Sequence, residues 1–94
     1  MVNVIWTDIA VEDLRLIHEY ISKDSKFYAD RFIEKLIERV DQLENFPKSG
    51  RVVPEFNSEI IRELIEGNYR IIYKISNQNN IGIIRVHHAA RQLK

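Results

Sequence analysis

Cysteine is absent from this chain, and with it go a disulfide framework, a thiolate metal site and a cysteine nucleophile. Glycine and proline are scarce, three and two in 94 residues, which excludes a low-complexity or collagen-like chain and leaves few sites for sharp turns. No apolar run approaches the roughly 20 residues of a membrane span, and no charged-then-apolar leader opens the sequence, so a cytoplasmic protein is expected. Net charge is also missing: 14 basic and 14 acidic side chains cancel. A protein whose work is gripping nucleic-acid phosphates usually carries a positive excess.

With 45% hydrophobic and 30% charged residues, the chain is expected to fold as one compact domain over residues 1–94. Its cancelled charge is unevenly spread. Residues 1–47 hold six Lys/Arg against ten Asp/Glu, and residues 48–94 hold eight against four. The basic half is suited to phosphate or to an acidic surface.

Val2 to Trp6 is β-branched and aromatic, a first strand. Thr7 can cap a helix in which Ala10, Leu14, Ile17 and Ile21 form one apolar stripe. Asp24 or Ser25 can cap a second helix with a wider stripe from Ala29 to Leu43, ending near Asn45-Phe46-Pro47 because the residue before proline avoids helical geometry. A loop over residues 48–58 precedes three β-rich runs, Ile60–Glu66, Tyr69–Ser76 and Ile81–His88. The expected fold is α+β, in the order β-α-α-β-β-β, with an antiparallel sheet covered on one face by a helical hairpin.

Gly67-Asn68 fits a two-residue hairpin turn and so sets the register. Leu64, Tyr69, Ile71, Tyr73 and Ile75 then share an apolar face, joined by Ile84 and Val86 if Asn77–Asn80 closes symmetrically. The opposite face holds Glu63, Ile65, Arg70, Ile72 and Lys74, with Arg70 across from His87, Ile72 across from Arg85, and His88 at the rim of the core. Like charges this close cost a few tenths to about 1 kcal/mol. They suggest an anionic partner, against the plain alternative of a solvated sheet face countered by Glu63. His87 and His88 are adjacent on a strand and diverge, so they do not make a metal site with His18. No cofactor is called for.

Trp6, Asp13-Leu14, Phe46-Pro47, Gly50-Arg51, Arg62, Tyr69-Arg70-Ile71-Ile72-Tyr73 and Val86-His87-His88-Ala89-Ala90-Arg91, in this order, resemble the RelE/ParE superfamily of bacterial type II toxin–antitoxin toxins, also called plasmid-stabilisation proteins. The resemblance implies a small toxin held inactive by a cognate antitoxin that lays an extended or helical segment across it. It also implies one of two activities. RelE-like members are ribosome-dependent mRNA endonucleases; ParE-like members poison DNA gyrase by protein–protein contact.

The residues lean to the ParE branch. Arg70 matches the arginine of the family's Tyr-Arg pair, but Ile61 and Glu63 stand where basic residues are expected. The Arg-Arg near the end reads Ala90-Arg91, and no tyrosine follows His88. Under the resemblance, the catalytic candidates of a nuclease are Arg70, Arg85, His88 and Arg91. Target-binding candidates are Arg62, Arg70, Lys74, Arg85, His87 and Arg91; antitoxin-binding candidates are Leu14, Ile17, Ile21 and Ile72. Expected partners are the antitoxin and gyrase, or ribosome and mRNA, with a homodimer or a heterotetramer with antitoxin as the assembly. A degenerate toxin without activity stays open beside both readings.

Overall fold

In a computed structural model that describes residues 1–89, five strands and two helices follow one another as β1 (Asn3–Trp6), α1 (Asp8–Ser22), α2 (Lys26–Asp41), β2 (Arg51–Val52), β3 (Ile61–Glu66), β4 (Tyr69–Ile75) and β5 (Asn80–His88). A short 3₁₀ turn, Gln42–Glu44, extends α2. The helices begin where short polar side chains meet orphan amides. Thr7 accepts from the Ala10 amide at 3.1 Å, and Ser25, of the two candidate caps, accepts from Tyr28 at 3.2 Å.

The sheet order is β1-β5-β4-β3-β2. The helical hairpin covers one face, where Ala10, Ile17, Leu36, Val40 and Leu43 pack with Leu64, Ile71, Tyr73, Ile81, Ile83 and Val86. Each large side chain withdrawn from water there contributes roughly 1.5–3 kcal/mol. The α+β class and the helical hairpin are as expected. So is the register through Gly67-Asn68, with Ile65 opposite Arg70 and Leu64 opposite Ile71. Within that turn Gly67, at the first central position, takes a positive φ of +58° and Asn68 does not.

Three features differ from the expectation. The sheet is not purely antiparallel, because β1 runs parallel to β5, with Asn3 beside Asn80 and Trp6 beside Ile83. The meander leaves that edge of β5 open, and β1 fills it with Val4 and Trp6 turned to the core. Inside the expected loop, Arg51 and Val52 add a short edge strand to β3. Finally, Ile84 is not on the core face. A bulge follows Ile83, so Tyr73 pairs with Ile83 while Ile72 still pairs with Arg85. The β4–β5 turn is not symmetric; it places Ile81 and Ile83 inward, and the extra residue at the bulge restores the register for Val86.

Candidate functional site

Arg70 and His87 face each other across β4 and β5 on the side away from the helices, as the alternation requires. That face is not an open basic surface. Residues 53–57 fold over it in a tight turn, with the Phe56 and Asn57 amides both donating to the Val53 carbonyl and Asn57 in the left-handed region at φ 47°. The turn carries Glu55 to Arg70. Arg70 Nη1 and Nη2 donate to the two Glu55 oxygens at 2.7 and 2.9 Å, and its Nε donates to Glu63 at 2.5 Å.

Glu63 is fully buried and also accepts from Arg51 at 2.5 Å. The chain Arg51–Glu63–Arg70–Glu55 therefore balances two cations with two carboxylates. Hydrogen bonds donated to Glu55 foremost, and to Glu63, hold the Arg70 pKa above its already high ordinary value against the opposing effect of burial. Ile72 and Val53 are buried under the same cover, outside the main core.

Arg85 is likewise committed. Its Nε and Nη2 donate to the two oxygens of Asp13 on α1 at 2.9 and 3.1 Å, and Asp13 also accepts from the Val86 amide. The hydrogen bond to Asp13 raises the Arg85 pKa. Asp13 thus takes a main-chain donor of β5 just past the end of β1, sealing a sheet edge with a carboxylate. His88 lies at the rim, its ring edge-on to Tyr69 at 5.4 Å, and Tyr69 in turn leans on Phe32.

The remaining candidates scatter. Lys74 is exposed near the far end of β4. Arg62 projects to the helix-side face, where Nε and Nη1 each donate at 2.9 Å to the carbonyls of Glu59 and Gly50. Arg91 lies outside the described residues. The structure thus brings Arg70 and His87 together, but separates Arg62 and ties Arg85 to the first helix.

The antitoxin-binding candidates are largely covered in the isolated chain. Ile17 and Ile72 are buried, and Leu14 and Ile21 pack against the core. What α1 exposes is a second line, Ile9, Leu16 and Tyr20, at spacings of seven and four. That spacing was readable in the sequence, though overshadowed by the stronger stripe. Glu55 and Asp13 were missed for a different reason: their partners are distant in the chain, and no periodicity points to them. On the hairpin, His18 Nε2 meets Asp30 at 2.7 Å while the Ser22 hydroxyl donates to the His18 carbonyl at 2.6 Å. With the Ser22 proton spent on its own helix, this Ser-His-Asp trio is a strut between helices.

A two-helix hairpin on a mostly antiparallel five-stranded sheet, with the Tyr-Arg pair at the start of β4, defines the class of small RelE/ParE-type toxins. Residues 4–93 match the family described as ParE toxin of type II toxin-antitoxin system, parDE, and the chain belongs to that family. It is 32% identical over 91 residues to Toxin RelE2 of Caulobacter vibrioides, covering 97% of this chain and 99% of that protein. The fold is shared with a chromosomal ParDE toxin–antitoxin system from P. aeruginosa, at a TM-score of 0.76 and 21% identity, over 94% of this chain and 96% of the other. It is shared also with the RelBE2 toxin–antitoxin complex of Mycobacterium tuberculosis, at a TM-score of 0.68 and 21% identity, over 93% and 96%. The protein is the toxin of a type II toxin–antitoxin module.

Proposed function

We propose that this toxin acts by contact with DNA gyrase, without catalysis, and that a cognate antitoxin neutralises it. The observation that carries this reading is the closure of the Arg70 face. A nuclease needs cations available to a phosphate and groups poised to move protons. Here Arg70 is 7% exposed and its three donor nitrogens already meet the carboxylates of Glu55 and Glu63, while Arg85 is held by Asp13. Membership in a family named for ParE supports the same branch.

Expression without antitoxin tests the choice. Accumulation of gyrase–DNA cleavage complexes with full-length mRNA is the expected result. Prompt mRNA cutting on ribosomes, abolished by Arg70→Ala, overturns it in favour of the nuclease.

The antitoxin contact is expected on the exposed line Ile9, Leu16 and Tyr20 of α1, which offers apolar area at no cost to the core. Leu16→Asp is expected to weaken the toxin–antitoxin complex at least about tenfold, read by titration calorimetry, with unchanged thermal stability of the toxin. Equal affinity of this variant would move the contact elsewhere.

A further inference from the structure

Near the end of the β3–β4 hairpin remote from Arg70, and on the other side of the sheet, a cleft of about 480 Å³ opens among Val2, Pro47, Ile60 and Ile75. Lys48 and Arg62 also line it. Among the described residues, neither cation has a carboxylate partner, in contrast to Arg51, Arg70 and Arg85. Arg62 is nonetheless fixed in place, because its Nε and Nη1 are both spent on main-chain carbonyls. Its Nη2 has no partner among the described residues and is open to water, since no buried side-chain nitrogen there lacks a hydrogen bond. Glu59 is the one carboxylate of the lining, and it pairs with neither cation.

We infer that this cleft is a docking site for an acidic peptide segment of a partner protein, taking one apolar side chain between Val2, Pro47, Ile60 and Ile75 and a flanking carboxylate at Arg62 Nη2 and Lys48. The charge argument selects the occupant. A guanidinium already oriented by two carbonyls loses little conformational freedom on meeting a carboxylate, and the apolar floor favours a peptide side chain over a sugar–phosphate backbone. The site shares no residue with the Arg70 face, and of the target-binding candidates it takes Arg62 alone.

The test uses the full chain and two probes, acetyl-Glu-Glu-Leu-Glu-Glu-amide and its glutamine counterpart, with binding followed by the amide resonances of residues 60–62 and 75–78. The acidic probe is expected to bind at least about tenfold more tightly than the neutral one, and Arg62→Gln to remove at least about tenfold. Lys48→Gln should weaken it several-fold, and Lys23→Gln, just past the end of α1, should leave it unchanged. If Arg62→Gln fails to fold, Lys48→Gln and Ile60→Ser decide, the latter weakening both probes alike. Equal binding of the two probes overturns the proposal, as does tighter binding of a single-stranded RNA oligomer that Lys48→Gln abolishes.

Discussion

The two basic regions of this small sheet have opposite fates. Around Arg70, a positive centre is folded shut: Glu63 is buried beside it, and Glu55 is delivered from a turn to grip it with two oxygens. Around Arg62, a similar guanidinium is oriented only by main-chain carbonyls and keeps its full charge toward a cleft. Charge counting makes the two look alike. A buried arginine must be neutralised, because the desolvation of an unpaired ion costs several kcal/mol, whereas a half-exposed one can stay unneutralised at little cost. The difference teaches that net basicity in the second half of the chain is a poor guide to where an acidic partner can land.

The sharpest way to break this comparison is Glu63→Ala. It strips a fully buried carboxylate from both Arg51 and Arg70, and a loss of about 3–5 kcal/mol in denaturant unfolding is expected. A loss below about 1 kcal/mol would mean that the network is solvated after all. Next is Gly50→Ala. A Cβ there would sit 2.6 Å from the Glu63 carbonyl and 2.6 Å from the Tyr73 hydroxyl, so about 1–3 kcal/mol should be lost.

Glu55→Ala ranks third, at about 1–2 kcal/mol, since its side chain is partly exposed and water can replace some of what it supplies. Its more telling effect is on accessibility: Arg70 should become reactive toward an arginine-selective dicarbonyl, approaching the behaviour of Arg62. Unchanged reactivity would show that the 53–57 turn holds without Glu55.

Tyr73 supplies a pH test. Burial raises its pKa above 10.0, opposed in part by the Gly50 amide and the charge of Arg62. Because the folded value exceeds the unfolded one, its stabilisation is fully present below pH 10 and is lost as pH rises through the folded value. Tyr73→Phe should flatten that alkaline decline in a stability-versus-pH series. Smallest of all is Lys48→Gln, within about 0.5 kcal/mol, because a solvated lysine without a carboxylate partner contributes little to folding. A larger loss would show that Lys48 is part of the folded framework and blur the contrast with Arg70.

Much of the framework was readable residue by residue. Thr7 and Ser25 as caps, the stripe through Leu36 and Val40, and the Gly67-Asn68 turn all express local physics, in which a side chain acts on amides and neighbours a few residues away. The pairing of Arg70 with His87, expected from a symmetric Asn77–Asn80 turn, holds only because the bulge offsets the asymmetry of the actual turn. The site was far less legible. Nothing around Glu55 marks it as the partner of Arg70, and Asp13 looked like one more charge on a helix.

The sequence by itself determined the helices, the order of every element except β2, the β3–β4 register and which face of β4 each side chain takes, because periodicity and turn chemistry operate over short separations. The tertiary structure decided the rest: the parallel seat of β1, the bulge at Ile84, and above all which cations are neutralised. Arg85 meets Asp13 across 72 residues and Arg70 meets Glu55 across 15. Such pairs depend on how whole elements pack. An ion pair adds little to stability at the surface and matters most when burial has removed the water that would otherwise screen it, so burial had to be known before the charges could be read.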